Sequence, residues 1–367
     1  MNMVVPKGFE SEVTGSSSTS SEDRKSDTTI PFEASVINRF LSNNCSALED
    51  VARSNVTRAY LCLDPTFGGG SKSCAGVCCA VEIAGGKLVI MSLDELEIRD
   101  LDQVTRVYAA LLSAHVRLLK VLLPGTHWKE VPVVVVFEQN TYVNALADLK
   151  ELLEHALVRS GFKVLFYRKW SHVNSRYMLG KHVSAKTKLA MVLSAVSAIE
   201  RDTLGYCECV MSLGWAVLAE AVRKGRAVEA ALGVSRGAGS STRTGSSMAV
   251  HMYKRSRSGI NLATDTTARA LEARDTIGLP DSRLADRLHA EHGKRLLGKL
   301  REEMAAVVIS ESAKGGGGTV VTGGKKSVGG EYTRDDMLSA FLLLCHTRDE
   351  IHCGERSVRI SGEVYCT

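Results

Sequence analysis

The sequence is poor in aromatic residues, which make up 5% of its 367 positions against 44% hydrophobic residues overall. A core can be built from that composition, but Val, Leu and Ala must do most of the packing. Neither sign of charge dominates: 46 Lys and Arg face 41 Asp and Glu, a formal charge of +5. That balance permits a polyanionic partner without requiring one. Ten cysteines are present (Cys45, Cys62, Cys74, Cys78, Cys79, Cys207, Cys209, Cys345, Cys353 and Cys366), yet no two form a C-x-x-C pair. No charged-then-apolar leader opens the sequence, so a reduced compartment is the simpler expectation. Apolar runs such as 131–137 fall far short of the roughly 20 residues a spanning helix needs, so no membrane partner is expected. There is also no G-x-x-x-x-G-K-[ST] motif. Gly68-Gly69-Gly70-Ser71-Lys72-Ser73 imitates it but lacks the glycine before lysine.

What is present is an ordered series of periodic segments. Residues 1–34 open with a Ser-, Thr- and charge-rich tract that reads as a disordered tail. A short helix is expected over 35–51. Residues 59–64 are a compact apolar strand ending on Asp64; second and third strands follow near 75–83 and 87–92, with Gly85-Gly86 marking a hairpin. Apolar residues at helical spacing predict a helix over 100–123, closed by Pro124-Gly125. A buried strand over 131–138 ends on Glu138, a helix covers 142–160, and a fifth strand covers 163–167. Three antiparallel strands followed by alternating helix and strand make an α/β fold of ribonuclease H-like order. It is a mixed five-stranded sheet with helices on both faces.

The core is expected to run over 35–204, with a helix at 184–202 capped by Ser184. An insertion follows over 205–280, with an apolar helix near 211–222 and a basic Gly- and Ser-rich loop over 235–259. Residues 281–350 return to the core as a charged helix (281–308), a glycine-rich stretch (315–330) and a final apolar helix opened by Asp335-Asp336. Residues 351–367 read as a tail. Cys345-His346 and His352-Cys353 could be drawn as a zinc site, but a buried thiol at the end of an apolar helix is the ordinary reading.

Three acidic positions close or open buried elements: Asp64, Glu138 and the Asp335-Asp336 pair. Strands one and four are neighbours in this sheet order, so Asp64 and Glu138 should lie side by side, with the last helix bringing its acidic start to them. Carboxylates gathered in this way repel one another unless a cation is bound. Oxygen ligands suit Mg²⁺ or Mn²⁺, and two such ions can hydrolyse a phosphodiester. Singly, each acid has a plainer reading: Asp64 as a turn residue, Glu138 as a helix cap, and Asp336 as part of a Thr333-x-x-Asp336 capping box. That last alternative makes Asp335 the expected stronger ligand of the pair.

Tyr60-Leu61-Cys62-Leu63-Asp64-Pro65-Thr66-Phe67 with Ser73-Cys74-Ala75-Gly76, and the 133–140 strand with its glutamate, resemble the nuclease domain of herpesvirus-type DNA-packaging terminase large subunits. So do Gly180-Lys181 with Lys186-Thr187-Lys188, and Gly323-Gly324-Lys325-Lys326 followed by Asp335-Asp336-Met337-Leu338-Ser339-Ala340. The resemblance runs collinearly over 58–346. Gln139 stands where that family usually has glycine, and 205–280 is longer than usual. The resemblance implies Asp64, Glu138, Asp335 and Asp336 as catalytic residues holding two Mg²⁺ or Mn²⁺ ions. It implies cleavage of concatemeric duplex viral DNA during genome packaging in a host nucleus. Partners would be an ATPase part or subunit, either encoded elsewhere or missing because this sequence is a fragment, and a capsid portal.

Lys72, Lys181, Lys186, Lys188, Lys325 and Lys326 fall in loops or helix starts on the expected active-site face, and Lys254, Arg255 and Arg257 lie in the basic tract. All are expected to contact phosphates, without sequence preference. The alternatives are a Holliday-junction resolvase-like nuclease of the same fold, and a catalytically silent packaging or scaffold protein. A sugar-kinase or actin-like ATPase would need a second such domain, which the sequence lacks.

Overall fold

The structure, a computed structural model, describes residues 28–66, 74–97, 101–139, 143–171, 174–214, 282–311, 319–322, 336–353, 358–360 and 363–366. In chain order its elements are β1 (Thr28–Thr29), α1 (Ala34–Asn43), β2 (Cys45–Ser46), α2 (Leu48–Arg53), β3 (Val56–Asp64), β4 (Cys74–Ile83) and β5 (Lys87–Glu97). Next come α3 (Leu101–Leu122), β6 (Pro132–Phe137), α4 (Val143–Arg159), β7 (Lys163–Ser171), β8 (Arg176–Leu179), α5 (Ala185–Glu200) and β9 (Leu204–Met211). After the stretch outside the described residues follow α6 (Ser282–Ala305), β10 (Val308–Glu311), β11 (Thr319–Thr322), α7 (Asp336–Cys353), β12 (Val358–Ile360) and β13 (Glu363–Cys366).

The five strands expected from sequence sit together at the centre of the sheet in the order β7-β6-β3-β4-β5. The β3–β4 and β4–β5 pairs are antiparallel, whereas β3–β6 and β6–β7 are parallel. The α/β reading with helices on both faces therefore holds. The sheet is larger than five strands, however: ten strands take part, in the order β12-β13-β7-β6-β3-β4-β5-β9-β2, with β8 pairing β7. Two stretches read otherwise from sequence account for part of this growth. Residues 204–211, read as the end of the core and the start of the insertion, form β9 parallel to β5. The expected tail supplies β13, parallel to β7.

β3 shows why both faces must be covered. Tyr60 and Cys62 enter one apolar core, while Ala59, Leu61 and Leu63 enter the other. A strand buried on both sides reads as a continuous apolar run rather than an alternating one. α3 and α4 cover one face, and α1, α5, α6 and α7 cover the other. α7 lies between the sheet and its neighbouring helices, and Met337, Leu338 and Ala340 through Leu344 are all buried. Its first half is accordingly apolar on every side.

The single helix expected over 35–51 is two, because the chain passes through β2, which pairs with β9. Phe32, assigned to the tail, is a buried core residue. Most of the insertion, including the basic tract, lies outside the described residues. Among the described residues no helix is long and apolar enough to cross a membrane.

Candidate metal centre

At one end of the central sheet the strands present a row of acidic side chains. Leu63 pairs with Phe137, and the Glu138 amide donates to the Leu63 carbonyl at 2.9 Å, so Asp64 and Glu138 end adjacent parallel strands. Asp64 pairs with Gly76 on β4, and Gly76 pairs with Glu95 on β5. Side chains alternate along a strand. Asp64 follows the parity of Tyr60 and Cys62, and Glu138 that of Val134 and Val136; all four of these neighbours pack in the core beneath α7. Glu138, Asp64 and Glu95 thus belong to one face of the sheet, with Gly76 between the last two.

α7 is seated on the gap that Gly76 leaves. A Cβ on Gly76 would lie 2.0 Å from the Asp336 carbonyl oxygen. Only glycine lets the first turn of α7 approach the sheet this closely. The result places an Asp336 carboxylate oxygen, a Glu95 carboxylate oxygen and the Cys74 Sγ within 4.8 Å of one another. Glu95 Oε1 is buried and accepts no hydrogen bond from the described residues. Such an acceptor is costly to leave unsatisfied, and a cation would satisfy it. The two carboxylate oxygens suit Mg²⁺ or Mn²⁺, whereas the sulfur is a donor that softer cations favour.

The start of α7 is capped from outside. Glu303 on α6, 4% exposed, accepts the Leu338 amide at 2.8 Å. The capping box proposed for Thr333 and Asp336 assigned the helix start to Asp336; here Glu303 takes one of its orphan amides. Asp336 also faces Cys74 and Glu95. Thr333 and Asp335 lie outside the described residues. One turn before Glu303, Lys299 pairs with Glu95 and lies 3.8 Å from Glu303 Oε1.

The backbone beyond Asp64 is pinned from the opposite face. The Tyr108 hydroxyl on α3 donates to the Thr66 carbonyl at 2.6 Å and accepts the Thr66 amide at 3.0 Å. Burial pushes the Tyr108 phenol well above its ordinary range, against the Thr66 contact, and the neighbouring Asp64 and Asp336 carboxylates push it further. The field of the acidic row therefore reaches Tyr108.

Gly180 and Lys181 run beside the end of β6. Gly180 has φ +83°, and a Cβ there would meet the Phe137 carbonyl oxygen at 2.5 Å. The Lys181 amide donates to Phe137 and its carbonyl accepts the Gln139 amide, both at 2.8 Å. Lys181 therefore extends the row by its backbone. Its ammonium does not serve as the expected phosphate contact: the residue is 3% exposed and Nζ lies 2.5 Å from Glu350 Oε2 on α7. Lys186 is exposed and Lys188 half-buried in the first turn of α5, which Ser184 caps by accepting the Thr187 amide. Lys72, Lys254, Arg255, Arg257, Lys325 and Lys326 lie outside the described residues.

The zinc arrangement drawn around α7 does not form among the described residues. Cys345 is buried in the apolar core, His346 Nδ1 lies 3.1 Å from Ser194 Oγ, and His352 pairs with Glu82. Sequence reasoning missed Glu95, Cys74, Lys299 and Glu303. A strand reading carried past Ser92 would have placed Glu95 on the acidic face.

No family model and no curated protein sequence matches the chain. Solved structures similar to it include the human cytomegalovirus terminase nuclease domain, at 15% identity and TM-score 0.41 over 60% of this chain and 92% of that one. The Mn-soaked form of that domain is 16% identical, with TM-score 0.39 over 49% and 77%. The Mn-soaked, inhibitor-bound form is 17% identical, with TM-score 0.40 over 49% and 78%.

Proposed function

We propose that the chain is a divalent-metal-dependent endonuclease that hydrolyses duplex DNA. The observation that carries this reading is the acidic row: Glu138, Asp64 and Glu95 on one face of adjacent strands, with Asp336 set over Gly76 beside Cys74 and Glu95. Asp64, Glu138 and Asp336, with Asp335 next to it in sequence, are the proposed catalytic metal ligands. Glu95 adds a further carboxylate to the donor set. Two Mg²⁺ or Mn²⁺ ions, when bound, supply an activated water and stabilisation of the leaving oxygen.

The chain's own contribution is position. β3 and β6 hold Asp64 and Glu138 in register, Gly76 admits α7, and Tyr108 fixes the backbone after Asp64. Lys186 and Lys188, in the helix that begins just past Lys181, are proposed to meet the DNA backbone, as are the basic residues outside the described stretches. Such contacts read charge rather than sequence. The motif resemblance adds the biological setting we propose: trimming of concatemeric viral DNA during packaging in a host nucleus, beside an ATPase part or subunit and a portal.

The test is a plasmid-cleavage assay with Mn²⁺ or Mg²⁺, with and without excess chelator, alongside Asp64→Asn. Ion-dependent linearisation that Asp64→Asn abolishes is expected, together with a higher thermal midpoint in the presence of the ion. Robust cleavage in chelator, or by Asp64→Asn, overturns the reading.

A further inference from the structure

Lys299 is placed in a way that the proposed chemistry does not itself require. It lies on α6, 35% exposed by its side chain, and its ammonium pairs with Glu95, one of the three residues whose donor atoms converge within 4.8 Å. Glu303, four residues on and one helical turn away, offers Oε1 at 3.8 Å from the same ammonium. Resting on the metal-dependent reading above, we infer that Lys299 is the resident counter-ion of this cluster and must leave Glu95 when a divalent ion enters.

The physical case is competition for one carboxylate. An ammonium and a metal ion at Glu95 would be like charges a few ångströms apart, so occupancy by one disfavours the other. Lysine suits this role because its charge rides on a flexible four-carbon stem and leaves without dismantling a bidentate fork. Its partial exposure gives the released ammonium a route to water, and Glu303 gives it a second anionic neighbour on its own helix. Glu303 also caps the Leu338 amide of α7. The departing lysine therefore moves its charge toward the group that holds the start of the helix carrying Asp336.

In the ion-free protein Lys299 neutralises repulsion and stabilises the fold; in the loaded protein it opposes the ion. A purely structural lysine would support the site, and its loss would weaken ion binding. A competing counter-ion predicts the opposite direction, and that difference in sign is what the test reads.

The experiment is Mn²⁺ titration of the full chain by calorimetry, with free Mn²⁺ followed by its magnetic resonance signal. Lys299→Met keeps the apolar stem and removes the charge; Lys299→Arg keeps the charge. Lys299→Met is expected to bind Mn²⁺ on the order of tenfold tighter, the size expected for one nearby charge in a partly screened site. Its ion-free thermal midpoint should fall, the deficit should close on saturation, and Lys299→Arg should bind near wild-type strength. A second measurement needs no variant: acetylation of Lys299 in the wild-type chain, read by mass spectrometry against Lys294, should rise when Mn²⁺ is added. Wild-type binding with unchanged or weaker binding by Lys299→Met, or with unchanged acetylation, overturns the inference and leaves the metal reading standing. No Mn²⁺ binding by the wild type overturns both.

Discussion

The two ends of the β3–β4 pair are covered by the same helix and both carry acidic residues, yet they are built on opposite plans. At the far end Glu82, 2% exposed, is surrounded by bases. Arg58 Nη1 lies 3.5 Å and Arg348 Nε 3.7 Å from its carboxylate, His352 pairs with it, and the Tyr60 hydroxyl donates at 3.3 Å. At the near end acids stand beside acids, Glu138 next to Asp64 and Glu95 within reach of Asp336, with Lys299 paired to Glu95 from α6. The first arrangement is an ion-pair hub that staples α7 to the sheet. The second accumulates like charge, which folding alone does not reward. A protein that builds both around the two ends of one pair of strands uses the first for stability and, on our reading, the second to hold cations.

The same substitution at each end should separate the two plans most sharply. Glu138→Gln is expected to lower Mn²⁺-dependent plasmid cleavage to background while leaving the melting midpoint unchanged or higher. Glu82→Gln should keep cleavage but lose about 3–5 kcal/mol in denaturant unfolding, the usual cost of breaking a buried pair by removing one partner. Equal effects of both variants on stability, or normal cutting by Glu138→Gln, would erase the distinction.

Acid should weaken the paired plan in α7. Burial alone would raise the Glu350 carboxyl, but Lys181, with help from Tyr167 and Lys169, holds it down to about 2 from an ordinary 4.5. Its contribution, on the order of 3 kcal/mol, is present above pH 4.5 and lost as pH falls toward 2. Burial, and next the Lys181 charge, lower His346 to about 4 from 6.5, against the pull of Glu350. Because the unfolded chain takes up that proton first, stability also falls as pH drops from 6.5 to 4. Melting profiles against pH should flatten below pH 4.5 for Glu350→Gln and between 6.5 and 4 for His346→Gln. A wild-type profile level across both windows would show that the paired plan contributes nothing.

Two smaller effects concern how α7 is seated at the acidic end. Gly76→Ala drives a methyl into the Asp336 carbonyl and should cost about 1–3 kcal/mol, with weaker Mn²⁺ binding as the helix start is displaced. Calorimetry on the variant showing wild-type affinity would mean that α7 does not position the ligands. Glu303→Ala removes a cap to the Leu338 amide, and a loss of about 1 kcal/mol is expected in urea melts.

The legible parts of the molecule were those where one residue type dominates a short run. The β3 and β6 runs announce Asp64 and Glu138 because each apolar strand stops on a carboxylate. Glu95 was hidden because β5 carries Asp94, Glu95 and Glu97 in its second half and shifts register between Ile90 and Ser92, so its alternation does not read as a strand. β9 was read as insertion because Gly205, Glu208 and two cysteines interrupt its apolar pattern, although pairing with β5 and β2 secures it. Lys181 looked like a phosphate ligand by its place after glycine, but what decides its role is Glu350, 169 residues away. Glu303 and Lys299 were indistinguishable from the other charges of an amphipathic helix until α7 was packed against them.

The acidic residues are widely separated along the chain, and this sets when the acidic row is assembled. Asp64, Glu95 and Glu138 leave the ribosome well before α6, which brings both the counter-ion and the cap, and Asp336 follows later still. Contacts of such sequence separation form slowly during folding. A nascent polypeptide would thus carry three of the acids with no helix to complete them. The acidic row is therefore completed only after residue 336 has been made and α7 has docked on the sheet, so translation and docking together order its assembly.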